Sequence, residues 1–401
     1  MEQKTENRRL CIAYAAGPGD IVGTFSCWLN GTDDPNQVAV TYSSLFFEAC
    51  KSLGARGVAI SSCPRAAHIR TDQFYVENMP KGKDVAGLAF HLQQIRYLRR
   101  VVQKALDEGA DIFVMADSTG HFFPFTLMAP ARLKLIPTLH CTLWPRFRPV
   151  SRVQKIINLL NRHVFTARST AILAISQSVE TQVRSITGNH PRPVYPFLPQ
   201  YRKELFSSII PPDDDSDCFN VLFAGRIETD KGVFDLLQIA EMLEKQGNER
   251  IFIHLCGNGS KEQELRTAAS EKNLQKHFVI HGFCRQDEML AQINRSHVFI
   301  VPTRTTFEEG FNKVLAEAIL AGRPVITSAV CPALEYVSSA VVEVPPDDVH
   351  GYLEAIVRLS ADRNFYREKQ AMCLGLQKQF YDRSLSWQTA LEKIIMNIRH
   401  G

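Results

Sequence analysis

Three stretches of the sequence combine backbone and side chains that can hold phosphate and hydroxyl groups. The first is Gly225-Arg226-Ile227-Glu228-Thr229-Asp230-Lys231-Gly232, which follows the apolar run Val221-Leu222-Phe223-Ala224. A glycine at a strand end lets backbone approach a ligand closely. Arg226 can grip a phosphate with two donors, and Lys231 can act as a point charge. The second is Gly257-Asn258-Gly259 after His254-Leu255-Cys256, a turn that is common and weak alone. The third is Glu308-Glu309-Gly310-Phe311-Asn312, where a helix begins, with Glu317 eight positions beyond Glu309. At 3.6 residues per turn, eight positions is a little over two turns, so Glu309 and Glu317 are expected within about a quarter-turn of one side. Free backbone N–H groups around Gly310, Phe311 and Asn312 form a phosphate site favoured by the helix dipole. Carboxylates bind phosphate poorly but accept well from sugar hydroxyls. The plain alternative is a pair of surface acids on an amphipathic helix.

The first half of the chain offers fewer signals. Gly17-Pro18-Gly19 follows the first strand and suggests a dinucleotide fingerprint. The spacing is Gly-x-Gly-x-x-x-Gly, however, and the next strand ends in Ser61-Ser62-Cys63 with no acid for a ribose, so a nicotinamide enzyme is excluded. His140 ends the strand Leu135–Leu139, and His121 follows Asp117-Ser118-Thr119-Gly120. A lone histidine is more often structural than functional. Trp144-Pro145-Arg146-Phe147-Arg148 interleaves aromatics with arginine. Asp213-Asp214-Asp215-Ser216-Asp217 holds an Asp-x-Asp pattern but lies in a Pro-rich connection, so it reads as solvated linker.

The elements that must position these residues alternate. Strands are predicted over 9–16, 57–61, 112–115, 135–139 and 171–175, with helices over 42–53 and 91–106 among them. Beyond residue 211 come strands over 220–224, 251–256, 278–281, 298–301 and 324–327. Helices over 233–246, 261–272, 286–294, 313–321 and 349–360 separate and follow them. Strands alternating with helices of 10–15 residues make parallel sheets of βαβ units, whose ligands sit at the carboxyl ends of the strands. The seam Ile209-Ile210-Pro211-Pro212 divides the chain into 1–210 and 211–380, with a last helix in 381–401.

Composition sets the class. The chain has 401 residues, 45% hydrophobic and 22% charged, as in ordinary globular proteins. No apolar run approaches the ~18 residues of a membrane-spanning helix. Met1–Glu6 is polar and no apolar signal core precedes Leu10, which predicts a cytoplasmic protein. Ten cysteines without Cys-x-x-Cys or zinc spacing read as reduced thiols. The net charge of +4 hides an asymmetry. Residues 1–210 hold 25 basic against 15 acidic side chains, and the remainder holds 21 against 27. From Arg132 to Lys203 there are 12 basic residues and one acid, Glu180. Such a strip suits an anionic partner or is simply a solvated basic face. No recognition motif accompanies it, which excludes nucleic acid.

Taken together, Gly225-Arg226…Lys231-Gly232, Gly257-Asn258-Gly259, Ile280-His281-Gly282-Phe283 and Glu309-Gly310-Phe311…Glu317-Ala318…Ala321-Gly322-Arg323-Pro324 resemble the GT-B-fold retaining glycosyltransferases of family 4, the glycosyl transferases group 1. The resemblance covers most of 220–345 and is looser over 1–200. It implies an α/β fold of two Rossmann-like domains facing across a cleft. It implies transfer of a sugar from a nucleotide diphosphate, UDP first and GDP next, to a hydroxyl acceptor with retention. Arg226 and Lys231 then neutralise the diphosphate, Glu317 holds the ribose, and Glu309 binds the donor sugar. The Gly310–Asn312 backbone takes phosphate and sugar, and Phe283 lies near the base. Gly225, Gly257 and Gly259 line the donor site, while Gly17 and Gly19 face its phosphate. His140 stands near the reaction centre, and His121, Trp144 and Arg146 lie on the acceptor side. Ser176 matches a serine common in the family. No metal and no cofactor are implied, since the nucleotide sugar is a substrate. The last helix is expected to cross back to the first domain. Two acceptor classes stay open: a lipid-linked or phosphorylated acceptor at the inner face of a membrane, and a soluble small molecule. A nucleotide-sugar epimerase and a non-catalytic donor-binding relative share the fold and remain the alternative readings.

Overall fold

The computed structural model describes residues 9–212 and 217–400. Most of the acidic tract (213–216) and the polar segment 1–8 lie outside the described residues. The first domain is built on β1 (Cys11–Ala15), β2 (Arg56–Ser61), β3 (Ala67–Arg70), β4 (Phe74–Asn78), β5 (Ile112–Ala116), β6 (Lys134–Leu139), β7 (Ile172–Ala174) and β8 (Val194–Pro196). Their order is β3-β4-β2-β1-β5-β6-β7-β8, parallel except for β3 against β4. The second sheet holds β9 (Phe219–Ala224), β10 (Ile251–Cys256), β11 (Phe278–Gly282), β12 (Val298–Val301), β13 (Val325–Ser328) and β14 (Val341–Val344). It is parallel throughout, in the order β11-β10-β9-β12-β13-β14. Central strands such as β1 and β12 are apolar and fully buried, as expected for parallel strands covered on both faces. These are the two Rossmann-like domains of a GT-B fold.

Several elements have no counterpart in the sequence reading. The antiparallel pair β3–β4 extends the edge of the first sheet, and the helices Ile21–Leu29, Arg152–His163 and Gln177–Thr187 are additional. Ser176 caps the last of these by accepting from Val179 N, a local structural role. Among the described residues no helix is long and apolar enough to cross a membrane.

The domains are joined by more than the chain connection. The Trp387–His400 helix packs on the first domain against the Tyr42–Ser52 helix, β7 and β8. Trp387 is fully buried beside Tyr14 and Tyr42. One apolar core runs without a break from the first sheet through Trp387 and Phe380 to Phe311 and Leu315 of the second domain. Across the cleft, Gln286 reaches the carbonyls of Pro35 and Gln37, and Ser178 Oγ donates to Glu335 at 3.0 Å. The lobes are therefore closed on one another at both rims.

Candidate active site

The loops after β9, β10, β11 and β12 converge at the carboxyl edge of the second sheet, the usual ligand position in such sheets. They interlock through backbone. Gly225 N donates to Cys256 O, and Gly257 N donates to Gly282 O. A Cβ at Gly257 would stand 1.8 Å from the Gly225 carbonyl oxygen, so no other residue fits. Between these loops and residues 36–38 of the first domain lies a pocket lined by Gly225, Arg226, Gly257, Asn258, Phe283 and Glu317, among others. Gly259 packs directly against the Ile227 backbone, bracing the same loops. Phe283 is half exposed at the pocket rim.

The helix Lys313–Leu320 starts at the predicted residue. Asn312 is its N-cap, accepting from Val314 N, and Glu309 lies in the preceding loop. The two carboxylates therefore do not share a helix face, which corrects the sequence reading, and they meet different partners. Lys231 Nζ donates to Glu309 Oε2 at 2.7 Å, with both side chains nearly buried. Asn312 Nδ2 approaches the same oxygen at 3.4 Å. Beneath them lies Phe307, with Lys231 Nζ 3.6 Å and the Arg226 guanidinium 5.5 Å from its ring centre. The ring face holds two cations in one place where solvent would let them separate. Phe307 was not singled out from sequence. The ring of Phe311 turns into the core against Tyr336 and Phe380, so this residue can offer a ligand its backbone only.

Glu317 is buried at the floor of the pocket, with Tyr201 Oη 3.4 Å from Oε1 and 3.1 Å from the Lys313 carbonyl. Burial pushes its carboxyl up to about 7, against the opposing pull of the Lys313 ammonium and the Tyr201 hydroxyl. Burial likewise lowers Lys313, which lies over the Tyr42 ring. This has a measurable consequence. Hydroxyls that donate to Glu317 favour its ionised form, so a ribose bound there, as the resemblance implies, is expected to release a proton. Nucleotide affinity is expected to strengthen from pH 5.5 to pH 8 more steeply in wild type than in Glu317→Gln. The nucleotide's own titration cancels in that comparison, and titration calorimetry reads it. Identical slopes in the two proteins would reject the assignment. Because its folded value is raised, the same group favours the folded state below about 4.5 and loses that contribution as pH rises through about 7.

In the first domain His140 stands at the end of β6, tilted against Tyr42 with ring centres 4.3 Å apart and edge-on to Phe197. Trp387 Nε1 donates to Thr138 Oγ1 at 2.8 Å, and that hydroxyl lies 3.0 Å from His140 Nε2. Nδ1 is buried without a hydrogen-bond partner in the protein. Burial, and then the Lys313 ammonium, hold the imidazole down to about 3. It is therefore neutral near pH 7.

His121 is buried in a cavity of about 420 Å³ with His91, Asp117, Glu308 and Gln154. Its Nε2 is 2.9 Å from His91 Nδ1, and its Nδ1 is 2.7 Å from Thr119 Oγ1. Asp117 is occupied by its own loop, accepting from Thr119 and His121. Trp144 and Arg146 line a second cleft with Phe307 and Glu309. Gly17 borders a smaller cavity that shares Asp117 and His121. Asp20, just past Gly19, caps the following helix. The structure thus draws Arg226, Lys231, Glu309 and Asn312 together. It sets Glu317 apart in the neighbouring pocket and leaves Gly17, Gly19, His121, Trp144 and Arg146 on the first-domain walls.

Two facing Rossmann-like domains, with a cationic pair at the strand ends of the second and an inward histidine on the first, define a GT-B glycosyltransferase. Residues 211–373 match the family model of the glycosyl transferases group 1. The match lies within the second domain, and the chain is a glycosyltransferase that acts on nucleotide sugars. An uncharacterized glycosyltransferase of Methanocaldococcus jannaschii is 22% identical over 300 residues, 71% of this chain and 74% of the relative. Sucrose-phosphate synthase from Thermosynechococcus elongatus has the same fold, with a TM-score of 0.72 at 16% identity over 98% of this chain and 99% of that one. The Escherichia coli trehalose-6-phosphate structure bound with UDP-2-fluoro glucose has a TM-score of 0.71 at 11% identity, covering 98% and 99%.

Proposed function

We propose that the protein transfers a sugar from a UDP-sugar, with a GDP-sugar as the next choice, to a hydroxyl acceptor held by the first domain, with retention at the anomeric carbon. The convergence of Arg226, Lys231 and Glu309 over Phe307, at the mouth of the Glu317 pocket, carries this reading. The base and ribose occupy the pocket between Phe283 and Glu317, and the diphosphate extends to Arg226 and Lys231. Glu309 and Asn312 then meet the sugar. A uridine base is favoured by the solved relative that holds UDP-2-fluoro glucose.

Charge grows on the diphosphate as the bond from the anomeric carbon to the phosphate oxygen lengthens. Arg226 and Lys231 are already in place to meet it, which is electrostatic stabilisation without reorganisation. They supply the positive charge that a divalent ion would otherwise give, so transfer is expected to persist in excess chelator. The acceptor oxygen bonds to carbon on the face being vacated, and its proton passes to the departing phosphate oxygen. His140 donates or accepts at the sugar without changing charge. Asp117 has its oxygens committed to Thr119 and His121 and is not available as a nucleophile.

A thermal-shift panel of UDP-, GDP-, ADP- and dTDP-sugars tests the donor, and NMR of the product tests retention. Stabilisation by a uridine donor and a product with the donor's anomeric configuration are expected. No stabilisation by any of the four, or an inverted product, would overturn the proposal.

A further inference from the structure

The Arg152–His163 helix is apolar on two faces. Ile157 and Asn161 turn inward. On the outer side Val153, Ile156, Leu159 and Leu160 are 51%, 60%, 68% and 47% exposed. Positions 153, 156 and 160 follow the i, i+3, i+7 spacing and form one stripe along the helix, with Leu159 beside it. Single exposed leucines are ordinary, but a contiguous stripe marks an interaction site. Arg152, Lys155 and Arg162 border the stripe, and the helix carries no acid. The loop before it carries Arg148 and the half-exposed ring of Phe147, which lines the cleft of Trp144 and Arg146. The one acid between Arg132 and Lys203, Glu180, is already paired with Arg184 at 2.7 Å. Positive charge around the stripe is therefore not neutralised from within this part of the chain.

The neighbouring segment carries a further exposed leucine. Asn161 accepts from Phe123 N and donates to Gly120 O, clamping the next segment in place. That segment leads to Leu127, which is 85% exposed. On its inner side the same helix, through Gln154 and Ile157, walls the cavity that holds His121 and Glu308, and the outward Val153 reaches that cavity's rim. The apolar face and the acceptor cavity are thus two sides of one element.

We infer that this helix docks the enzyme on an anionic lipid bilayer, and that the acceptor hydroxyl belongs to a lipid headgroup presented there. Apolar residues enter the boundary of the acyl chains, while Arg152, Lys155 and Arg162 meet the anionic headgroups. A headgroup at that depth reaches the cavity without leaving the membrane. The docking surface stands on its own observations, whereas the lipid acceptor rests on the transferase reading above.

Vesicle sedimentation of the full chain tests docking without any activity assay. Vesicles of phosphatidylcholine alone are compared with vesicles containing about one third phosphatidylglycerol, at low and high salt. Tight, salt-sensitive binding to the anionic vesicles and little to the neutral ones is expected. Ile156→Ser/Leu160→Ser should weaken it at least tenfold, and Lys155→Glu about fivefold or more. Both variants change exposed positions, so they should keep the wild-type melting temperature and nucleotide-induced shift. No binding to anionic vesicles, equal binding to both kinds, or variants that bind as wild type would overturn the docking. So would a wild-type dimer in sedimentation velocity that Ile156→Ser/Leu160→Ser converts to monomer, since the stripe would then be covered by a second copy. If the variants lose vesicle binding yet glycosylate detergent-dispersed lipid extract normally, docking and transfer both stand. If docking holds and no lipid accepts sugar, the lipid acceptor falls alone.

Discussion

Lys231→Ala is expected to lower kcat about 10²–10³-fold, the usual cost of removing one preorganised charge from a developing oxyanion. In the free enzyme its ammonium is held between Glu309 Oε2 and the Phe307 ring. In the proposed mechanism, arriving diphosphate competes with Glu309 for that ammonium, which releases the carboxylate to the sugar hydroxyls. The pair thus links donor arrival to sugar binding, and Glu309→Ala should abolish transfer as well. Breaking one side of a nearly buried pair leaves a charge unpaired and can cost about 3–5 kcal/mol of stability. Lys231→Ala/Glu309→Gln leaves no such charge and is the control for folding. If it melts as wild type but transfers no sugar, the loss is catalytic. Full activity in both single variants would remove these residues from the mechanism.

Gly310→Val is expected to lower kcat about 100-fold with little change in nucleotide affinity. A Cβ at this position would stand 1.9 Å from the His140 carbonyl oxygen and 2.7 Å from the Cys141 Cα. Both obstacles are backbone atoms of the other domain, so no rotamer change relieves the overlap. Only separation of the lobes does, and a displacement of about 1 Å at a reacting centre can cost 10² in rate. Arg226, Gly257 and Glu317 all lie on the second domain and keep their mutual geometry. The measurement is kcat beside nucleotide Kd, with small-angle scattering to report an opened cleft. Wild-type kcat in Gly310→Val would show that the closed contact is not needed for transfer.

Much of the second domain is legible because its signals are local. Gly225-Arg226…Lys231 and Gly257-Asn258-Gly259 follow strands that the sequence marks as continuous apolar runs. The Glu-x7-Glu spacing is a sound marker, but helical geometry cannot be applied across it. The helix begins at Lys313, as predicted, with Asn312 as its cap, so Glu309 stays in the loop. What the sequence conceals is mostly long-range. Tyr201 meets Glu317 across 116 positions, and Trp387 meets Thr138 across 249. No spacing rule reaches so far. Phe307 was hidden for another reason, since an aromatic in a loop has no period to reveal which charges will lie on it. The Arg152–His163 stretch shows its basic residues plainly, but its apolar residues fall on both faces. Only the fold separates the inward Ile157 from the outward Ile156. The strands β3 and β4, four and five residues long, are too short for alternation to mark them.

The position of Trp387 also has a consequence for biosynthesis. The first sheet is complete in sequence at Pro196, yet the indole that orders Thr138 beneath His140 is encoded about 190 residues later. At roughly 5–20 residues per second, a ribosome takes on the order of 10–40 seconds to reach it. Through that interval the nascent first domain carries an open apolar socket beside Tyr14 and Tyr42, where the indole belongs. The half-made protein is therefore a natural client for chaperones that cover such sockets. A message cut short before codon 387 encodes both sheets but not the indole that donates to Thr138 beside His140.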